Sequence, residues 1–535
     1  MKTMISSIIL ASCLALPLAS CSDSDAAPEQ KDWSTTTYFY SADAAMQDTY
    51  YKPTVGYVGD PMPFFDPVAG DFKVLYLQDF RPNPEGTYHP IWGVSTKDAA
   101  HYTSLGELVS CGTKKSQDAA IGTGSTIYDE ASKLYYTFYT GNKYLPTGDE
   151  SAQAVMVATS PDFKTWTKDR TFLLKGQDFG YDKTDFRDPF VFKGDDGKFH
   201  MLVSTKKGGK GSLAEFVSDD LKNWTDNGVF MTMMWDRFYE CPDLFKMGDY
   251  WYLVYSEIHH AIRRVQYFKG RTLDELKACT ANDAGRWPDA HEGFLDSRGL
   301  YAGKTASDGT NRYLWGWCPT RSGKDNTAVG ASPAEPEWGG NLVCYKLIQH
   351  EDGTLTLGQV DAVSEKYNQD VAVEVKESQN MTEADGTYTL AGKAQQPDAY
   401  MLMGRLGNHN KISFTVTTSN EWDKFGISMV RGSDSKKYYT MVVNPENEND
   451  RKINFEEQGV EGKGFIAGID GYEFARPADN VYNITIYTDN SICVMYINDV
   501  CSYTNRIYGI QKNCWSIDSF NGANVKVSNL KISQY

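Results

Sequence analysis

Three short acidic motifs follow one another along the chain: Gly59-Asp60-Pro61, Phe186-Arg187-Asp188-Pro189 and Tyr239-Glu240-Cys241-Pro242-Asp243. An Asp-Pro step alone is an ordinary turn element. Three carboxylates drawn into one pocket, however, are equipped to break a glycosidic bond. That chemistry needs two of them in different protonation states. One is ionised, to attack or steady the anomeric carbon; the other is protonated, to donate to the departing oxygen; the third can orient sugar hydroxyls.

Side chains so far apart in sequence meet only if the fold returns repeatedly to one axis. Thr96-Lys97-Asp98-Ala99-Ala100-His101-Tyr102, Ser160-Pro161-Asp162-Phe163-Lys164-Thr165-Trp166 and Ser218-Asp219-Asp220-Leu221-Lys222-Asn223-Trp224 share a hydroxyl residue, an Asp two on and an aromatic four beyond. Their Asp residues are 64 and then 58 residues apart, a period that points to a repeated supersecondary unit. Each pattern follows a short apolar run, as strand, turn and strand do in a propeller blade. The expected fold is all-β: a five-bladed β-propeller over 35–366, whose innermost strands bring Asp60, Asp188 and Glu240 together, then a C-terminal β-sandwich over 367–535. The sandwich is read from alternating strands such as Lys411–Val416, Tyr438–Val443, Asn483–Tyr487 and Ile492–Ile497 between Asn, Asp and Gly turns. A hairpin at Glu351-Asp352-Gly353-Thr354 closes the first part, and Ser364 to Tyr367 is the crossing point.

The chain begins with Lys2, an apolar run from Met4 to Ala19 and Leu18-Ala19-Ser20-Cys21. This reads as a lipoprotein signal over 1–21 with Cys21 lipidated. A polar, acidic tether over 22–34 follows. The expected place is the cell surface, lipid-anchored to the outer membrane. A net charge of −17 speaks against nucleic acid as a partner, since that requires basic patches. Of ten cysteines, those beyond Cys13 and Cys21 show no Cys-x-x-Cys pair and no zinc-ligand spacing. No metal or cofactor is called for, and Cys241 reads as a small packing residue. Lys206 to Ser212 lacks phosphate-loop spacing and reads as a hairpin tip.

Arg187-Asp188-Pro189 followed by Glu240-Cys241-Pro242-Asp243-Leu244-Phe245 resembles glycoside hydrolase family 32, the fructan and sucrose hydrolases, whose signatures contain Asn-Asp-Pro, Arg-Asp-Pro and Glu-Cys in this order. The resemblance implies Asp60 as nucleophile, Asp188 as transition-state stabiliser and Glu240 as general acid/base. Arg187 would bind a sugar hydroxyl and bias Asp188 towards its ionised form, because a nearby cation lowers a carboxyl pKa. It further implies sugar contacts from Gln78, from Trp92 in Ile91-Trp92-Gly93-Val94, from the Thr123 hydroxyl and from Trp317 as a wall of the site. Retention would need the nucleophile and acid/base carboxyls about 5 to 5.5 Å apart, and Glu240 would need its pKa raised to act as an acid.

The chain also departs from that pattern. Tyr57-Val58-Gly59-Asp60-Pro61-Met62-Pro63 stands for Trp-Met-Asn-Asp-Pro-Asn-Gly, and a Trp of the family has no counterpart in Pro84-Glu85-Gly86-Thr87-Tyr88. A less tightly walled pocket suits endo-action, and the nearest likeness is to cell-surface endo-levanases of gut bacteria. The expected substrate is β-2,6-linked levan, with surface glycan-binding and transport proteins as partners. The alternatives are an exo-acting fructanase releasing fructose, an inverting propeller glycosidase acting on arabinans or xylans, a fructosyltransferase and a non-catalytic surface fructan-binding lipoprotein.

Overall fold

The computed structural model describes residues 49–53, 56–80, 88–144, 146–233, 238–257, 264–279, 292–321, 336–396, 398–431, 437–447, 452–458, 465–466, 473–511 and 513–535. Cys21, the tether and Pro84 to Thr87 lie outside the described residues. The architecture is all-β. Three antiparallel four-stranded sheets follow chain order, beginning at Ala120–Asp129, Phe186–Lys193 and Glu240–Met247. A fourth, eight-stranded sheet combines the two ends of this region. In it Tyr57–Asp66 leads outward to Asp71–Asp79, Ile91–Thr96 and Thr103–Val109, while Tyr301–Ser307, Arg312–Arg321, Pro336–Gln349 and Leu355–Gly358 come from its far end. The halves are joined where Val58 pairs with Gly340, and a Cβ on Gly340 would lie 1.8 Å from the Cys318 carbonyl oxygen. Tyr57–Asp66, Ala120–Asp129, Phe186–Lys193, Glu240–Met247 and Tyr301–Ser307 are the inner strands; each contacts the next, and the last returns to the first.

The repeated sequence pattern is a repeated turn. After the third strand of each of three sheets, the Asp side chain caps the backbone: Asp98 Oδ1 accepts from the Ala100 and His101 amides, Asp162 Oδ1 from Lys164 and Thr165, and Asp220 Oδ1 from Lys222 and Asn223, all at 2.8–3.0 Å. Ala99, Phe163 and Leu221 then take φ of 59°, 59° and 63° and are buried. The side-chain oxygen replaces the ladder bonds that the turn interrupts. Tyr102, Trp166 and Trp224, the aromatics of the pattern, pack against three different cores. Lys206 to Ser212 is a hairpin with Gly208 and Gly209 at φ 58° and 79°, the geometry of a two-residue type I′ turn.

Helix Asp361–Lys366 follows Leu355–Gly358. Beyond it, two antiparallel eight-stranded sheets face each other across a core that includes Ile412, Phe414, Ile427, Met441, Ile486, Met495, Trp515 and Val527. The outer face of one of them shares a core with the first region: Tyr487, Ile492, Val494 and Tyr496 pack with Tyr345, Leu347 and Leu355. Buried polar groups pin this junction. Arg506 donates to the carbonyls of Cys318 (2.9 Å) and Pro319 (3.0 Å), to Asn341 Oδ1 (2.6 Å) and to Ser491 Oγ (2.9 Å). Asp296 accepts from the Thr504 amide and hydroxyl, the Ser502 hydroxyl and the Ser297 amide. At the start of the described chain, Asp489 Oδ2 accepts from the backbone amides of Thr49 (3.1 Å) and Tyr50 (2.9 Å).

Candidate active site

Each inner strand carries one residue more than its neighbour accommodates. The register slips between Gly59 and Met62, between Gly122 and Gly124, opposite Leu202 and Ser204 for Arg187 to Phe190, between Glu240 and Asp243, and between Tyr301 and Lys304. A β-bulge re-aims a side chain out of the strict in-and-out alternation. At four of these bulges a non-glycine residue has positive φ: Asp60 (29°), Asp188 (57°), Cys241 (51°) and Ala302 (51°). Such conformations cost about 1–3 kcal/mol each and persist where the surroundings impose them. Pro61, Pro189 and Pro242 follow three of the four; with no N–H to donate, proline suits a break in the ladder.

The bulges bring the carboxylates together. Asp60 Oδ2 accepts from the Thr123 hydroxyl (2.7 Å) and Oδ1 from the Trp317 indole N–H (3.0 Å). Asp188 Oδ2 accepts from the Cys241 amide (2.9 Å), while its own amide donates to Thr140 Oγ1 (2.8 Å). Glu240 Oε1 accepts from Arg187 Nη2 (3.0 Å), and Oε2 accepts from the Tyr301 hydroxyl. Arg187 also donates to Asp185 (2.6 Å), lies 4.0 Å from Asp188 Oδ2 and sits over the Phe238 ring at 3.9 Å. One guanidinium thus spans the second and third carboxylates.

Burial governs the electrostatics. It pushes the Asp188 carboxyl up to about 6, against the pull of Arg187 and the Cys241 amide, while Glu240 and Asp60 push further upward. Asp60 is likewise raised by burial; Thr123 and Trp317 oppose the shift and Glu240 adds to it. Arg187 therefore does pull Asp188 towards ionisation, as expected, but desolvation outweighs it. The Cys241 thiol, 2% exposed, is held well above its usual range by burial and then by Asp60 and Asp188, which suits a packing residue better than a nucleophile. Lys304 is buried and its ammonium pKa is lowered by that burial, with Cys241, Asp243, Asp188 and Asp60 opposing; it donates to the Gly124 carbonyl at 3.0 Å. Among the described residues, no group of three or more His, Cys, Asp or Glu is arranged to hold a metal ion.

The structure thus gathers Asp60, Asp188, Glu240 and Arg187 in one cluster. Thr123 and Trp317 join it in a different capacity from the one expected. Both are buried, Trp317 completely, and both spend their polar hydrogen on Asp60, so neither presents a wall or a free hydroxyl to a sugar. Arg187 likewise donates to protein groups, the carboxylates of Asp185 and Glu240 and the amide oxygen of Gln153. Gln78 is fully buried opposite Val58. Trp92 pairs with Tyr76 and Glu107 and packs edge-on to Phe80 at 5.8 Å. Sequence reasoning passed over Tyr301, Lys304, Thr140 and Trp338. Tyr301 and Lys304 flank the Ala302-Gly303 bulge, which carries no acidic marker. Trp338 had an indirect signal in Gly59: a Cβ there would lie 2.2 Å from Trp338 Cη2.

Comparison with known proteins bears on this arrangement. The glycosyl hydrolases family 32 N-terminal domain matches residues 50–359, and a C-terminal domain described as GH32, BT1760-like, matches residues 353–532. A β-fructofuranosidase of Arabidopsis thaliana, insoluble isoenzyme CWINV2, is 27% identical over 310 residues, covering 52% of this chain and 50% of its own. A fructan 6-exohydrolase of Beta vulgaris is 25% identical over 287 residues, covering 50% and 46%. The chain spans about half the length of the curated relatives it matches. In fold, fructan 1-exohydrolase IIa from Cichorium intybus superposes with a TM-score of 0.69 at 16% identity, covering 91% of this chain and 97% of that one; this likeness speaks for the fold alone.

Proposed function

The chain belongs to glycoside hydrolase family 32, and from that premise we propose that it hydrolyses β-fructosidic bonds, acting within β-2,6-linked levan chains to release fructooligosaccharides. The observation that carries the reading is the convergence of Asp60, Asp188 and Glu240 at three equivalent bulges, with Arg187 bridging two of them. The eight-stranded sheet is read as two four-stranded blades sharing the Val58 and Gly340 pair, which makes five blades around the axis that holds the carboxylates.

In this reading Asp60 attacks the anomeric carbon of a fructosyl unit. Thr123 and Trp317 hold both of its oxygens, so its orientation is fixed before substrate arrives. Glu240, reached by Arg187 and Tyr301, donates its proton to the leaving oxygen as the covalent fructosyl-enzyme forms; it then takes a proton from water, which attacks the anomeric carbon, breaks the bond to Asp60 and frees the product with retention. Asp188, turned inward by its bulge, steadies sugar hydroxyls.

Endo-action is supported by the departures at Gly59 and at Pro84 to Tyr88, which take polar and aromatic walls away from a terminal-sugar pocket. Exo-action is the second reading, favoured by the fructan 6-exohydrolase among the relatives. Product chromatography over time from levan, inulin and sucrose separates the two. Mixed-length oligosaccharides appearing early from levan are expected, fructose alone would establish exo-action, and no release from any of the three would refute the assignment. Lipidation at Cys21 places the enzyme on the outer membrane; Cys21→Ala is expected to move the protein from the membrane fraction to the soluble one, and unchanged fractionation would count against the anchor.

A further inference from the structure

The bulge that turns Asp188 inward interrupts the ladder around it. Pairing of the strand Phe186–Lys193 with its neighbour skips from Arg187, opposite Ser204, to Phe190, opposite Leu202, and Asp188 in the gap takes a left-handed backbone, φ 57°. Buried amides and carbonyls at such a break must find side-chain partners. Here those partners come from the preceding four-stranded sheet. The Thr140 hydroxyl, on the strand Leu134–Asn142, accepts from the Asp188 amide at 2.8 Å and donates to the Thr123 carbonyl at 2.9 Å. The Ser125 hydroxyl, on the strand Ala120–Asp129, accepts from the Val191 amide at 2.8 Å and donates to the Pro189 carbonyl at 2.9 Å. Each hydroxyl uses its one hydrogen and a lone pair, and the two clasp the bulge on both sides. Both side chains are buried, so neither is placed to touch a substrate.

The clasp is not a general feature of the sheets. Thr140 stands opposite Gly122, and the equivalent places opposite Arg187 and Glu240 belong to Ser204 and Ser256. Those two hydroxyls are buried and meet no hydrogen-bond partner among the described residues. A residue other than glycine keeps a positive φ only where its surroundings impose it. For Asp188 the surroundings are these hydroxyls and the Cys241 amide, which donates to Asp188 Oδ2 at 2.9 Å.

We propose that Thr140 and Ser125 are positioning residues of the hydrolysis: their hydroxyls hold the Asp188-Pro189 bulge from the neighbouring sheet and so fix the Asp188 carboxylate against the fructosyl unit beside Asp60. The inference rests on the fructan reading above. By donating to the Thr123 carbonyl, the Thr140 hydroxyl turns a lone pair to the Asp188 amide, so its effect on the reaction runs through Asp188.

Steady-state kinetics on levan test it, with wild type beside Thr140→Val, Thr140→Ser and Ser125→Ala, and with Thr140→Val and Ser125→Ala each combined with Asp188→Asn. Thr140→Val keeps the shape and loses both bonds. It is expected to lower kcat about tenfold, short of the roughly 10²-fold that follows a 1 Å misplacement, with KM changed less; Ser125→Ala is expected to lower it by less, and Thr140→Ser to recover most of the loss. Both Thr140→Val and Ser125→Ala are expected to lose most of their effect in the Asp188→Asn background, because they act through that carboxylate. A loss as large in that background as in wild type would reduce the hydroxyls to general support of the fold and overturn the proposal, as would a Thr140→Ser variant no better than Thr140→Val. Should Thr140→Val fail to fold, as a melting curve would show, Ser125→Ala carries the same comparison. Wild type cleaving levan with kcat unmoved in Thr140→Val and Ser125→Ala sinks this inference alone; wild type releasing nothing from any fructan sinks the functional reading and this inference with it.

Discussion

Two buried polar clusters in this molecule handle charge in opposite ways. At the junction with the second pair of sheets, Asp296 is met by amides and hydroxyls, and Arg506 by carbonyls, an amide oxygen and a hydroxyl. At the axis, Asp60 and Asp188 are each pushed upward by burial and again by Glu240. A buried charge whose partners are all complementary locks two parts together, whereas carboxylates that oppose one another's ionisation are held ready for proton transfer. Burial raises the Asp296 carboxyl as it does the other two, but there hydrogen bonds from Thr504, Ser297 and Ser502 oppose it; at the axis a second carboxylate adds to the cost, an arrangement suited to chemistry at some expense of stability.

The contrast makes predictions of opposite sign. Glu240→Ala is expected to lower kcat by about 10³-fold or more, the scale of losing a general acid/base, with the thermal transition unchanged; assay alongside a melting curve checks both halves. Arg506→Leu is expected to do the reverse. It takes away four donated hydrogen bonds, to Cys318, Pro319, Asn341 and Ser491, at a cost of about 4 kcal/mol, while kcat below the transition stays within about twofold, the range expected of a residue that touches no reacting group. Chemical denaturation followed by an assay of the folded fraction measures this.

Asp188→Asn tests the claimed expense directly. With its folded pKa raised from 3.8 to about 6, the native protein keeps a proton that the unfolded chain loses. Stability is therefore full below about pH 4 and falls as pH rises towards 6. The variant escapes this, so it is expected to exceed wild type by up to about 3 kcal/mol at pH 7.5 and to match it at pH 4; an excess at pH 4 as large as at pH 7.5 would contradict the burial argument. The smallest effect is at Thr123→Val, which removes one of two donors to Asp60. A loss of about tenfold in kcat is expected, from one charge-assisted hydrogen bond worth roughly 1.5 kcal/mol, with activity falling away at a higher pH on the acidic side because a donor that lowers the Asp60 pKa is gone.

How much of this was legible in the sequence follows from what each feature depends on. Asp98, Asp162 and Asp220 cap the backbone two and three residues ahead, a local interaction that leaves a local pattern, so the repeat could be read. The Asp-Pro and Cys-Pro steps were equally visible because proline marks a break in a strand. Direction was not legible. A bulge shifts the parity of every side chain around it, so no alternation rule could tell that Trp317 and Thr123 turn inward onto Asp60 instead of towards a ligand. Tyr301 was hidden for the same reason, its bulge being built on Ala302-Gly303. Gly59 marks at most a close approach to the backbone; that the approaching group is Trp338 required a distance between positions 59 and 338, which one sequence does not contain. Gln78 and Trp92 were chosen by resemblance, and they stand opposite Val58 and Tyr76 in the eight-stranded sheet.

The grip of Asp489 on the amides of Thr49 and Tyr50 also determines how the molecule carries mechanical load. Tension applied to the chain ahead of Thr49 enters the strand Val481–Asp489, within the sheet that bears Arg506, before it reaches the inner strand Tyr57–Asp66. The force path runs through the junction, leaving the alignment of Asp60 with its two donors outside the line of pull.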